Sequence, residues 1–409
     1  MDELTYSVYD ATEHMVEGTP DNSLGDGTIL DLNDKQGGNS GKAAIGSGTP
    51  NAEPIVLSHE TALSVWRHAR ESGSRASGSR NRNRGNGASG RGGNLSSMLI
   101  HPHEMPYARL ALMPERPPSD ERVAAVIKRY PGFLSSPVDI SIRDYGNRVT
   151  TSLKRTHGCS GLLPRRSLVK LSENDLFVVT PPLLLAQYSD VNHDKLALIR
   201  LAYELCGTYS HCPDGRVAYS RAPIARAKLL GTYCDRWAAT QSGGQIRRGM
   251  TWLRDISNLV LDNSASPMET VVSMLGFLPH KLGGFGIPSP VLNYQIKLTD
   301  KERHLLKRRE LYLDAYWENS KVALEYDSTM FHGTPKERTT DSKRRDFLLS
   351  KGITVITLTK DQVFNYALFH NVMMQLARQL RFRFRVRMRD WDRLHAQLRS
   401  FLLANLFAR

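Results

Sequence analysis

No apolar run in this chain of 409 residues approaches the ~20 residues that a bilayer-spanning helix needs, so the sequence holds no candidate of that kind. The opening stretch, Met1 to Gly18, is acidic and lacks an apolar centre; no secretory signal is expected there, and a cytoplasmic location follows as an expectation. Cysteine is scarce: Cys159, Cys206, Cys212 and Cys234 are the only four, without C-x-x-C spacing, which argues against a disulfide framework or a zinc site. His211 lies between Cys206 and Cys212 and leaves a metal knuckle as the minor reading, with reduced, partly buried thiols the major one. Acids are depleted where bases concentrate. Residues 301–409 carry 22 bases against 12 acids, residues 74–97 carry five arginines and no acid, and only residues 1–60 reverse the sign, with 11 acids against 2 bases. The formal net charge of +14 therefore points to a polyanionic partner, nucleic acid before membrane.

What is present divides the chain by composition. Residues 1–52, rich in Gly, Asp, Asn, Ser and Thr, read as a disordered acidic tail. Residues 53–73 read as a short helical element whose start is marked by Ser58. Residues 74–97 are a flexible Gly/Ser/Arg linker. Residues 98–262 form an α+β domain with a helical bridge, with strands expected over Val138–Ile142, Leu168–Leu171 and Leu176–Val179. Its histidines His157, His193 and His211 lack partnered spacing, so no catalytic arrangement is expected among them. Residues 263–409 form the last domain. There Ser266, Pro267 and Glu269 make an S-x-x-E capping box with a helix-opening proline. The fold class is α/β, in the sense of an α+β multidomain chain whose last domain has a mixed sheet flanked by helices.

The chemistry concentrates between Tyr312 and Thr359. Leu311–Tyr316 and Val322–Tyr326 read as strands joined at Glu318–Ser320. Alternation sets Glu325 and Asp327 on one face, and hairpin pairing brings Asp314 across from them. Three converging carboxylates repel one another unless a cation lies among them, and an all-oxygen set suits Mg²⁺ or Mn²⁺. Such an ion lowers the pKa of a bound water and stabilises charge on a phosphodiester under attack. His332, five residues beyond Asp327, has the near-neutral pKa that proton transfer needs. Asp341 is expected to open the next helix, where Arg344 and Arg345 either form a local ion pair or touch phosphate and orient the carboxylates. Gly352 closes that helix, and Ile353–Leu358 is a β-branched strand. One amphipathic helix is expected over Asp361–Leu380. It leads into RFRFRVRMR, where Arg381, Arg383, Arg385, Arg387 and Arg389 alternate with apolar residues; this reads as a strand or extended edge with a phosphate-tracking arginine face.

The pattern Asp314, Glu325-x-Asp327, His332, then Asp341-x-x-Arg344, Leu348 and Gly352 resembles the very-short-patch-repair-type endonuclease group of the PD-(D/E)xK restriction-endonuclease-like superfamily, over about residues 265–380. The resemblance implies Mg²⁺-dependent phosphodiester cleavage, with DNA as the expected substrate class, Asp314 as the principal metal ligand and Glu269 as a further acid of the site. Asp327 stands where the superfamily usually has lysine, and Ser328 follows it where relatives carry glycine. The segments IVLSHETAL and Thr156–Val179 resemble abortive-infection antitoxin-like modules. Two functions stay open at this level. One is a metal-dependent endonuclease serving repair or defence. The other is a non-catalytic nucleic-acid-binding regulator, or toxin–antitoxin component, that uses the nuclease fold as a platform.

Overall fold

The computed structural model describes residues 54–73, 107–108, 110, 112–131, 134–172, 175–241, 248–327 and 335–404. The acidic tail, the 74–97 linker, Ser328 and His332 lie outside the described residues.

The chain is α/β, with mixed sheets and packed helices. In order, the described elements are β1 (Ile55–Leu57), α1 (His59–Gly73), α2 (Asp120–Arg129), β2 (Val138–Ile142), β3 (Lys154–Gly158), β4 (Leu168–Ser172) and β5 (Leu176–Val179). There follow α3 (Pro181–Val191), α4 (Lys195–Cys206), the short hairpin β6 (Ser210–His211) and β7 (Val217–Ala218), α5 (Ala227–Thr240) and α6 (Arg248–Ser257). The carboxyl-terminal part comprises α7 (Pro267–Phe277), β8 (Val291–Ile296), α8 (Asp300–Leu306), β9 (Leu311–Trp317), β10 (Val322–Asp327), α9 (Pro335–Ser350), β11 (Thr354–Thr359), α10 (Lys360–Phe364), α11 (Tyr366–Gln379) and α12 (Trp391–Ala404).

The first sheet has the order β3-β2-β1-β5-β4. Its middle strand is the three-residue Ile55–Leu57, parallel to β5 and antiparallel to β2, so the segment read from sequence as only helical supplies the centre of the sheet. The strand is short, β-branched and buried on both faces, and so lacks the polar alternation that reveals a longer strand. Trp66 of α1 is fully buried and donates its indole N–H to the Val179 carbonyl at 2.9 Å, fixing the helix on the sheet.

The second sheet has the order β11-β10-β9-β8. β8, β9 and β10 are antiparallel, and β11 lies parallel to β10 after the crossover through α9. The expected hairpin is present, with Lys321 in the left-handed region (φ 50°) at its turn. The fourth strand, β8, is one that no sequence expectation covers. One apolar cluster reaches from Ile55 through α7 to Leu402, so the compositional boundary near residue 262 separates two sheets that share a core. A second cluster, including Leu311, Leu313, Ala323, Phe347 and Leu348, lies under α9.

Three expectations need correction. α9 starts at Pro335, so Asp341 is inside the helix and does not cap it; a proline at the first helical position accounts for the earlier start. The helix expected over Asp361–Leu380 is two helices, because the Asn365 side chain accepts from Leu368 N at 3.1 Å and caps α11 afresh. Leu368, in the first turn of the new helix, is exposed. Residues 381–389 form no strand. Between the left-handed Arg381 (φ 52°) and the turn at Arg389 they run without a ladder partner among the described residues, half-buried at Phe382, Phe384 and Val386 and exposed at all five arginines, so of the strand or extended edge expected only the latter fits.

Candidate functional site

Asp314 owes its position to a break in strand alternation. Regular alternation would hold Leu311, Leu313, Ala315 and Trp317 on one face. Instead Leu311 and Leu313 belong to the cluster under α9, whereas Ala315 and Trp317 belong to the main core. In β8, Leu292 and Tyr294 part in the same way. The register is continuous on either side, Leu292 with Ala315 and Tyr294 with Leu313, so both strands change face at the opposed residues Asn293 and Asp314. Asn293 takes φ 48°, a left-handed conformation that asparagine tolerates better than most residues.

β10 carries the other two acids. Its ladder with β9 ends at Leu324 and Ala315, and the next bond is made by a side chain: Tyr326 N donates to Asp314 Oδ2 at 2.8 Å. Asp314, Glu325 and Asp327 then line one open cavity of about 220 Å³ with Arg344, Arg345 and Thr357. Arg344 reaches across from α9. It binds Glu325 through both terminal nitrogens at 2.5 Å each and donates to the Tyr312 carbonyl at 2.9 Å. The pairing seen is with the strand carboxylate, which is the carboxylate-orienting part of the second reading for this arginine. A planar guanidinium suits this bidentate geometry, which lysine cannot reproduce.

Glu269 approaches from α7. Ser266 Oγ accepts from Glu269 N at 3.1 Å, as the capping motif predicts, while Glu269 Oε2 accepts from Ala265 N and from Asn293 Nδ2, both at 2.8 Å. The asparagine that breaks β8 thereby ties the start of α7 to the site. Burial raises the Glu269 pKa. Asp314 is pushed up to about 7, by burial first and by the charge of Glu269 second; the Tyr326 N–H bond pulls the other way.

An acid so raised marks a place where negative charge lacks compensation, and the donors are hard oxygens, so Mg²⁺ or Mn²⁺ fits them in kind. In the arrangement seen here both Glu325 oxygens are engaged by Arg344, and among the described residues no three acids, histidines or cysteines close on one point at ligand distance.

The five arginines of the strip lie elsewhere. Phe384 packs 5.2 Å from Phe285, 5.7 Å from Trp391 and 5.5 Å from His280, ring centre to ring centre, which anchors the extended segment against the Gly283–Gly286 turn. All four cysteines are free and buried, in agreement with the thiol reading.

One polar cluster escaped the sequence. His157 Nε2 lies 2.8 Å from Asp139 Oδ1, and its ring stacks on His59 at 3.7 Å, with His59 Nδ1 3.0 Å from Ser58 Oγ. His157 is therefore partnered, contrary to the reading of scattered histidines. Burial, and next the neighbouring His157, push His59 down to about 3, and its φ is 47°. The partners are contributed by the start of α1, by β2 and by β3, and no local spacing signals their meeting.

Among the described residues no helix is long and apolar enough to cross a membrane. Comparison of the chain with known protein families, curated proteins and solved structures finds no match.

Proposed function

We propose that the chain is a divalent-metal-dependent endonuclease that hydrolyses phosphodiester bonds, with DNA as the substrate class and repair or defence as its setting. One observation carries the reading: Asp314, Glu325 and Asp327 share a cavity with the guanidinium of Arg344, acids from two paired strands beside a cation from the crossover helix. The resemblance of this stretch to very-short-patch-repair-type endonucleases supports the same reading. Asp314, Glu325 and Asp327 would hold the metal, which supplies Lewis acidity to the phosphate and a more acidic bound water. Arg344 fixes Glu325 and keeps positive charge at the mouth of the cavity, where phosphate oxygens arrive. Arg345, exposed on the same helix, adds a second cation to that mouth. Glu269 keeps the charge around Asp314 high and so favours a bound cation over an empty site.

A second reading, a binding regulator without cleavage, is favoured by the closed Glu325–Arg344 pair. Purified protein incubated with plasmid and single-stranded substrates in Mg²⁺, Mn²⁺ or EDTA separates the two. Cleavage that needs the metal and falls at least a hundredfold in Asp314→Asn is expected. Nucleic-acid binding with no metal-dependent cleavage would overturn the endonuclease reading and leave the regulator.

A further inference from the structure

Five arginines in residues 381–389 alternate with apolar side chains, and the structure gives the alternation a geometry. Phe382, Phe384 and Val386 are half-buried and packed on the main core, while Arg381, Arg383, Arg385, Arg387 and Arg389 are exposed. Burial with a period of two is the signature of an extended backbone. None of the five guanidinium groups has a hydrogen bond or ion pair among the described residues, unlike Arg344, Arg393 and Arg399, which are all engaged. Like charges held in a row without counter-charges repel one another, and an anion of matching repeat relieves that repulsion.

In an extended chain alternate residues are spaced by about 6.6 Å, so the row spans at most about 26 Å, regular from Arg383 to Arg387, with Arg381 (φ 52°) and Arg389 at the turns that bound it. That spacing is close to the separation of neighbouring phosphates along an extended nucleic-acid strand. A duplex is a poor match over the full length. Each of its phosphates advances only about 3.4 Å along the axis, the remaining separation being taken up by winding, so a straight row meets a few phosphates before the strand turns away. A single strand is free to straighten against the whole row. The Phe384 ring faces inward, towards Phe285 and Trp391, and Phe382 packs on the main core, which leaves the contact to the phosphates and not the bases.

We infer that residues 381–389 are a binding track for the sugar–phosphate backbone of single-stranded nucleic acid, without base preference. The inference rests on the nucleic-acid reading above and names the form of strand the protein holds. It also places the track relative to the acids. Phe285 N bonds to the Leu275 carbonyl near the end of α7, and Glu269 is in the first turn of that helix, about 9 Å away along the axis.

The test is fluorescence anisotropy of the full chain in EDTA, where metal-dependent cleavage is silent. Labelled single-stranded 20-mers of dT and of mixed sequence are compared with the matching duplex and with phosphatidylserine vesicles over a salt series. Five phosphate contacts on a single strand predict a slope of about −3.5 in log affinity against log salt. The triple variant Arg383→Gln, Arg385→Gln, Arg387→Gln changes only exposed side chains. It is expected to flatten that slope by about 2 and to weaken single-strand binding tenfold or more. Unchanged slope and affinity in the triple variant, equal binding of the duplex, or tighter partition onto vesicles than onto the 20-mers would each overturn the track. The variant Asp314→Asn keeps the two readings apart: binding intact with cleavage lost supports both. Wild-type binding that follows the arginines while no cleavage is seen in Mg²⁺ supports the track and sinks only the nuclease.

Discussion

Asp314 carries the sharpest prediction at the scale of single residues. Its carboxyl is held at about 7 in the folded chain against 3.8 for the free side chain. An acid whose folded pKa is raised takes up a proton on folding. Its favourable contribution is complete below 3.8 and is lost as pH rises through about 7. Asp314→Asn is therefore expected to stabilise the metal-free protein at pH 8 by roughly 2–4 kcal/mol and to leave it unchanged at pH 4, as measured by urea unfolding. Should the variant lose stability at pH 8, the charge would be compensated and the account of the site wrong. Glu269→Gln removes the second cause of the shift and should move the wild-type pH dependence toward acid without abolishing it. These acids were legible in the sequence, because two strands in a hairpin set Asp314 across from Glu325. The Glu325–Arg344 bond was not, since nothing in the sequence chose between a local partner on α9 and a strand carboxylate 19 residues away.

Between elements, the turn at Gly283–Gly286 decides how α12 and the arginine track are held. Gly283 has φ 84°, and a Cβ there would meet the Leu394 carbonyl oxygen at 2.5 Å. Trp391 donates to the Gly284 carbonyl at 2.9 Å, and Phe285 is fully buried among Phe369, Phe384, Trp391 and His395. Gly215 has nearly the same backbone, φ 81°, with nothing within 4 Å of the place a Cβ would take. The pair isolates close packing from conformational strain. Gly215→Ala should cost about 1–2 kcal/mol, the strain alone, and Gly283→Ala clearly more in thermal or urea unfolding. Equal losses would mean that α12 yields to the intrusion. A glycine-rich stretch in sequence signals a turn, but does not say which distant helix lies on it. β8 was hidden for a related reason: its face changes at Asn293, so no regular alternation runs through it.

At the scale of the whole molecule, one group beside each sheet should give stability an opposite dependence on pH. His59, at the start of α1, is held at about 3 against 6.5 when free. A group with a lowered pKa releases its proton on folding; its contribution is complete above 6.5 and is lost as pH falls toward 3. On the order of 3–5 kcal/mol should disappear over that range, and His59→Gln should remove much of the acid sensitivity while leaving the loss above pH 7 that belongs to Asp314. Unfolding monitored from pH 4 to 8 checks both limbs. A variant with the same acid limb as wild type would locate that sensitivity elsewhere.

Sequence by itself determined the α/β class, the positive sign of the carboxyl-terminal charge, the Ser266 start of α7, the hairpin and the three acids on it. Each follows from local propensity, periodicity or spacing, which act over a few residues. Tertiary structure decided the central place of Ile55–Leu57, the change of face at Asn293 and Asp314, the closure of Arg344 on Glu325 and the meeting of His59, Asp139 and His157. These depend on which distant segments share a core, and burial, unlike periodicity, is a property of the assembled fold.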